Sequence, residues 1–534
     1  MRDRGAIVLI AAVWLLSALI WLRPGITKPD GVAYYAYLPS TYFDTDLLLF
    51  NEWQHFGMLE NGIIASEGLT PNGHLADHWT AGSAVVWFPG FLAADVVRGF
   101  VPSLQRFARD GVSLPYNAGA VSASAMCGLI ALLAGYAVGR AFAPIWAATV
   151  ATIAIWFGSS LLWYSTREAL MAHAVSAAVC ALVVLASMRK DFLAAGVAAG
   201  LAFAVRPQNA TFIIVPFVIA GLPAMRKWLS VAGGIVAGAL PQIVVTVFLY
   251  GNPLNLFSIS PANAQRPWHS FERFWAWQPL FSWYHGLGTW TPLLMVGIIG
   301  FPFLIRAHRG LGMAALLMLL AQWAANATID RFFWAGSSFG QRRFDNCTIF
   351  FLLGAAALFT HLPKLLAIAI AALTSAWTMA LFFTAAAIDL NRYYPPDALI
   401  GAMQRAPKPI GLLVAVPESF KIDVLIVFAA TVIIYVVLAL LMQAKPGIVA
   451  ATLCLVMAGF FAVCGLNDAS HMEAWTAVIA KNRQLEPYSG AVHDRIALLR
   501  DEENYLRATG AAAEADRTRG EITALEKSIP SAAQ

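Results

Sequence analysis

Charge is what this chain of 534 residues has least of: 12% of its residues are charged, against 59% hydrophobic, and its mean hydropathy is +0.66. An ordinary soluble domain carries about 25% charged residues, and no buried core absorbs such an apolar surplus, so a soluble enzyme is excluded. The chain also lacks any long basic run, and a formal charge of +5 gives no footing to a nucleic-acid partner. Five cysteines, Cys127, Cys180, Cys347, Cys454 and Cys464, lie in or beside apolar stretches without a CxxC pair, which argues against a zinc site or a disulfide framework. A GxxxxGK[ST] phosphate loop is missing, which removes an ATP-driven pump, and no soluble stretch is long enough for a nucleotide-sugar Rossmann domain. Disorder is excluded in turn by 33 Phe, 18 Trp and 14 Tyr.

What is present is a succession of apolar runs. Taking about 20 residues per crossing, the runs near 6–22, 117–139, 144–163, 172–188, 191–205, 209–224, 229–249, 289–305, 311–328, 346–362, 365–386, 422–442 and 447–465 predict an all-α polytopic membrane protein of about 13 transmembrane helices. MRDRG leads directly into the first run without a small-residue cleavage site after it, which reads as a retained span. If the spans alternate, Arg2, Arg4, Arg140, Arg189, Lys190, Arg226, Lys227, Arg306, Arg309, Lys364 and Lys445 share one face. The positive-inside rule makes that face, and the N-terminus, cytoplasmic. The long segments 23–116, 250–288 and 387–421 then fall on the outer side. Two units are expected: 1–465, the membrane domain, and 466–534, a small outer C-terminal helical tail. That tail carries roughly 19 of the 65 charged residues and shows amphipathic spacing at Ile496, Leu499, Leu506 and at Ile522, Leu525, Ile529.

The first outer segment, 23–116, is too acidic and aromatic for a plain connector. KPDGVAYYAYLPSTYFDTDLLLFNEW gathers Asp30, Asp44, Asp46 and Glu52 beside Tyr34, Tyr35, Tyr37 and Tyr42. Helical spacing from Asp30 puts Tyr34, Tyr37 and Leu38 on one side, so this stretch suits a juxtamembrane helix with Asp30 at its N-terminal end. There the free N–H groups favour an ionised carboxylate, the form a general base needs; a simple N-cap with an interfacial tyrosine belt is the alternative. Downstream, His74, Asp77 and His78 are metal-ligating residue types, so a divalent cation stays open as a cofactor while no metal ligand is assigned.

The lone first span, the DG-YYAYL run and DTDLLLFNE, together with RPQN at Arg206–Asn209, LFSWYHGLGTWTPLL at Leu280–Leu294 and WAGSSFGQRRF at Trp334–Phe344, resemble bacterial membrane glycosyltransferases of the GT-C superfamily. That superfamily is related in architecture to protein O-mannosyltransferases and lipid A aminoarabinose transferases. The resemblance covers roughly residues 1–360. It implies a fold of membrane helices whose catalytic carboxylate sits on the first outer loop and whose donor is a polyprenyl-phosphate-linked sugar. Relatives often carry Asp-Glu where this chain has Asp30-Gly31; Glu168, in STREALMAHA, lies where they often place another acid.

Transfer from such a donor needs a base, cations for the departing phosphate, and a groove for an isoprenoid. Asp30 is the expected base, with Glu168 as a second catalytic acid. Arg206, Arg342 and Arg343 are outer-side cations suited to phosphate, since a guanidinium fork binds phosphate oxygens in pairs; the alternative is that they snorkel or pair with Asp330, Asp345 and Glu168. Tyr34, Tyr35, Asp44, Asp46, Glu52, His78, His173 and His285 complete the expected substrate-contacting set, with His269 a further histidine of the outer segments. The expected function is an inverting membrane glycosyltransferase with a lipid, glycan or protein acceptor and no nucleic-acid partner. A polyprenyl-linked sugar or lipid flippase is the alternative, disfavoured because a cytoplasmic face nearly bare of polar sequence offers no second entrance to a site. The tail is expected to serve acceptor recognition or stability and not bond making.

Overall fold

The computed structural model describes residues 2–26, 29–58, 69–70, 72–220, 225–253, 274–328, 333–335, 339–388, 390, 393–405, 418–476 and 489–528. Among them the regular structure is all helix, apart from one isolated bridge between Leu69 and Leu75. Among the described residues nine helices are long and apolar enough to cross a membrane, and four shorter apolar helices of 10–17 residues accompany them. The chain is a multi-pass membrane protein.

The elements used below are α1 (Arg2–Trp21), α2 (Pro29–Pro39), α3 (Phe50–His55), α4 (Gly82–Phe100), α5 (Leu114–Gly139), α6 (Ile145–Gly158), α7 (Leu161–Thr166), α8 (His173–Met188), α9 (Phe192–Val205) and α10 (Met225–Tyr250). After these come α11 (Pro292–Ile299), α12 (Arg309–Ala327), α13 (Thr348–Thr360), α14 (Lys364–Ala387), α15 (Glu418–Leu441), α16 (Pro446–His471), α17 (Ser489–Ala508) and α18 (Ala512–Ser528). Burial sorts them: 78% of the apolar window of α5 is covered by protein but only 28% of that of α1, α14 or α15, so α5 is central and the other three form the perimeter. A helix that is apolar on all sides yet half uncovered needs lipid as its solvent.

Small residues let the helix backbones meet. In α9 and α10, Gly196 and Gly200 face Gly234 and Gly238, and a Cβ at any of the four would run into the partner's backbone. These are two GxxxG stripes, the spacing that brings membrane helices into close contact. Gly90 of α4 meets Gly119 of α5 in the same way, as does Gly297 of α11 with Gly354 of α13.

Side-chain bonds define the two ends of the bundle. Arg140, just beyond α5, donates to Asp3 at the start of α1 (2.8 Å), and Trp14 donates to the Ala125 carbonyl (2.8 Å), so α1 and α5 run antiparallel. At the other end the backbone N–H of Arg23 bonds the Thr166 carbonyl (2.8 Å), placing the exit of α1 beside the exit of α7. The first segment caps that end. Thr80 donates to the Val205 carbonyl (2.7 Å), Ala81 N–H to Gln242 (2.7 Å), and Tyr250 to the Asp77 carbonyl (3.0 Å).

Within the segment read from sequence as one outer loop lies α4, a 19-residue helix apolar enough to count among the nine. Trp87 donates to Ser124 (2.7 Å) and Tyr116 to Asp95 (2.7 Å), so α4 lies antiparallel against the half of α5 that follows Leu114. The central Pro89 is carried inside it. Buried tail residues Tyr505, Leu506 and Ala515 pack with Trp275, Tyr284, Phe333 and Trp334 of the capped end, and Ile496, Leu499 and Ile522 hold α17 to α18.

Candidate functional site

Two interruptions of helical geometry bring the arginines together. Arg206 precedes Pro207, whose ring bars the α conformation for the residue before it. Arg206 is accordingly extended (φ −155°, ψ 122°), which ends α9 and starts a 3-10 turn over Pro207–Ile214. The second interruption is the 3-10 turn Arg342–Cys347 leading into α13. Before it, Ala335 adopts φ +70°, a left-handed conformation unusual outside glycine, and its carbonyl accepts the Arg342 Nε–H at 2.9 Å. Asn346 donates to Asn209 (3.0 Å), which donates to Ser176 of α8 (2.9 Å), and Gln208 donates to the Arg343 carbonyl (3.1 Å); the two turns are thereby tied to each other and to α8.

Asp30 stands in the first turn of α2, with its side chain 31% exposed, and accepts from Arg342 Nη1 at 3.3 Å. A Cβ at Gly31 would approach Ile26 Cγ2 at 3.2 Å and the Leu170 carbonyl at 3.6 Å, so the helix start is packed against the 167–172 turn that carries Glu168. Glu168, Tyr34 and Tyr164 all act electrostatically on Arg342. Burial pushes the Tyr34 hydroxyl up to about 12, with Arg206 pulling against it, so it stays a neutral donor at physiological pH.

Arg206 rests on neutral groups. Its Nη1 donates to His173 Nδ1 (2.7 Å) and its Nη2 to Gln208 Oε1 (3.4 Å). Since an arginine can only donate, His173 accepts through Nδ1. Asp345 Oδ2 lies 3.2 Å from that nitrogen without a hydrogen bond to it, and Asp345 Oδ1 accepts from the Ser160 hydroxyl. Among the described residues Arg206 has no carboxylate in ion-pair contact, which separates it from the pairing expected with Asp345 or Glu168. Asp330, the other expected partner, lies outside the described residues, as does His269.

The structure thus gathers Asp30, Glu168, Tyr34, His173, Arg206, Arg342 and Arg343 at one end of the bundle. The other expected residues have partners of their own, and His285 also lies within electrostatic range of Arg342. Tyr35 is buried and donates to the Gly111 carbonyl (2.6 Å). His78 stacks on Trp79 at 3.7 Å. His285 is buried, donates through Nε2 to the Leu390 carbonyl (3.0 Å) and stacks on Trp290 at 4.0 Å; burial brings its pKa down to about 3, so it is neutral at any working pH.

Asp44, Asp46 and Glu52 form a second acidic cluster, joined to the end of α16 and without a recorded contact to the arginines. Asp46 meets His471 (2.9 Å) and accepts from Ser40 (3.0 Å), and Asp44 accepts from Asn51 (2.8 Å). Glu52 is 1% exposed; burial, reinforced by Asp44, holds its carboxyl well above the usual range. Beside them His74 meets Asp468 (2.8 Å), which also accepts the Leu47 N–H (2.7 Å). Sequence reasoning missed Asp468 and His471 because they lie about four hundred positions from their partners. Among the described residues there is no group of three or more His, Cys, Asp or Glu that could hold a metal ion.

Comparison with known proteins returns no matching family model and no matching curated protein. Solved structures do match. The structure of ArnT from Cupriavidus metallidurans bound to undecaprenyl phosphate covers 89% of this chain and 79% of its own, at 14% identity and a TM-score of 0.41. The apo structure of the same protein covers 88% and 78%, at 15% identity and a TM-score of 0.39.

Proposed function

We propose that this chain is a membrane glycosyltransferase that moves a sugar from a polyprenyl-phosphate carrier to an acceptor, with its site at the periplasmic face of a bacterial inner membrane. The observation that carries the reading is the half-exposed Asp30 carboxylate, which meets Arg342 at 3.3 Å and lies within electrostatic range of Arg206, a guanidinium held by His173 and Gln208. A guanidinium held this way is preorganised for an anion and loses no existing ion pair when the anion arrives.

In this reading the carrier phosphate lies between Arg206, Arg342 and Arg343. The carbonyl of Ala335 and the ring of His173 orient two of the forks. Asp30 takes the proton of an acceptor hydroxyl as that oxygen attacks the anomeric carbon from the face opposite the phosphate. The C–O bond to phosphate breaks in the same displacement, the arginines take up the developing charge, and the anomeric configuration inverts. A base in hydrogen-bond reach contributes about 10²–10⁴-fold. Tyr34, a neutral donor one helical turn from Asp30, suits a sugar hydroxyl. Glu168 balances Arg342 and stands as a second acid of the site.

The experiment is transfer by the purified full-length chain in lipid nanodiscs, given a set of polyprenyl-phosphate sugars. Release of polyprenyl phosphate that depends on Asp30, with the anomeric configuration inverted in the product, supports the reading. Translocation of the intact donor across a bilayer without cleavage would replace it with transport.

A further inference from the structure

One buried cation next to the site takes no part in the chemistry above. Arg167 follows α7 in the same turn as Glu168 and is 9% exposed. Among the described residues its guanidinium makes no hydrogen bond and no ion pair; its electrostatic neighbours are Arg23, which repels it, and Glu168, which attracts it. The backbone bond from Arg23 N–H to the Thr166 carbonyl (2.8 Å) fixes the two arginines side by side, with Arg23 exposed at the mouth. A desolvated guanidinium beside a second cation is costly unless an anion compensates it. Glu168 cannot serve Arg167 alone, because it also balances Arg342. Among the described residues around this end, five arginines (23, 167, 206, 342 and 343) stand against Asp30, Glu168, Asp345 and, across Tyr34, Asp77, so positive charge is in excess among them with the carrier-phosphate cluster already counted.

We infer that Arg167 and Arg23 form a second oxyanion subsite, separated from the carrier-phosphate cluster by Glu168, that takes a phosphate-class group from either a water-soluble substrate or a lipid headgroup. The inference rests on the glycosyltransferase reading for its place beside the active site. The buried Arg167 supplies the directional fork and the exposed Arg23 guides the anion inward. The turn that presents Arg167 is the one against which α2 packs at Gly31, so a ligand here lies along the same face as Asp30.

The test uses the full-length protein in phosphatidylcholine nanodiscs, saturated with undecaprenyl phosphate and then titrated with inorganic phosphate, following the thermal unfolding midpoint. The wild type should show a saturable rise. Arg167→Met should weaken the apparent phosphate affinity at least about tenfold, Arg167→Lys less, and exposed Arg23→Met measurably; the Lys and Arg23 variants decide the matter if Arg167→Met does not fold. Repetition in phosphatidylglycerol nanodiscs separates the sources: loss of the phosphate response there assigns the subsite to a lipid headgroup, and its persistence to a soluble group. An absent response in the wild type, or an unchanged one in the Arg167 and Arg23 variants, overturns the subsite. Binding of undecaprenyl phosphate itself, and its weakening in Arg206→Met, is read in the same experiment and tests the carrier cluster independently.

Discussion

The first outer segment supplies acids to two places that resemble one another in residue type and differ in how their charges are met. At the arginine end, Asp30 is half exposed and meets Arg342 at a loose 3.3 Å, while Arg206 leans on His173 and Gln208. At the α16 end, Asp468 holds both His74 and the Leu47 N–H within 2.8 Å, and Asp46 answers His471 and Ser40. The first arrangement leaves charge available to a ligand; the second uses its polar groups to fasten the segment to a helix distant in the chain. Partner geometry, more than residue identity, distinguishes a cluster whose charge stays open from one that fastens the chain.

The contrast breaks most readily at Asp30. Asp30→Asn should lower turnover by about 10²–10⁴-fold while leaving the unfolding midpoint and polyprenyl-phosphate affinity unchanged, because the amide keeps the shape but cannot take a proton. Turnover near the wild-type value would strike Asp30 from the base role. Next in size is Asp468→Ala, which strands the buried His74 and the Leu47 N–H and should cost about 3–5 kcal/mol of stability, with turnover per folded molecule preserved; a turnover loss without a stability loss would merge the two clusters into one site.

Arg206→Met should reduce polyprenyl-phosphate affinity by the worth of a charge-assisted bond, about 1.5–3 kcal/mol, and Arg206→Lys by less, since it keeps the charge and loses the fork. Unfolding at the wild-type temperature is expected for both. Unchanged donor affinity with a large stability loss would make Arg206 a structural cation.

The smallest effect concerns Glu52. Its folded pKa lies above its unfolded one, so the native state holds the proton longer, and stability declines as pH rises from about 4.5 through the raised native value. Glu52→Gln should abolish that decline and raise the midpoint slightly at pH 8 relative to wild type, with no difference at pH 4. A wild-type midpoint that rises over this interval would show that the carboxyl is stabilised in its charged form.

Much of the site was legible because its residues sit in unusual local sequence. Arg206 before Pro207 announces a break in a span, and the glycine-bearing FGQRRF segment announces another; cations at such breaks are costly in a membrane without a purpose. The GxxxG stripes of α9 and α10 repeat small residues with a period of four, a pattern the division into spans passed over. Arg167 went unnoticed because a lone arginine at a span exit looks like an interfacial anchor until its burial is seen. The grouping of Asp44, Asp46 and Glu52 with Asp30 was the natural reading of one dense loop. The structure separates them because the π-helical turn Ser40–Asp44 and the left-handed Thr45 (φ 57°) redirect the chain toward α16.

The sequence by itself determined the solvent and the class: the apolar surplus demands lipid, and apolar runs of about 20 residues suit helices that satisfy their own backbone groups. It also determined which segments interrupt those helices and so which polar residues stand at an end of the bundle. Tertiary structure alone decided which interruptions meet. That Asp30 faces Arg342, that Arg206 rests on His173 and that Arg167 is shut in beside Glu168 each depend on helices packed across long stretches of chain. A local pattern carries no information about contacts closed over hundreds of residues, because their energy comes from burial and close backbone approach that exist only once the bundle has formed.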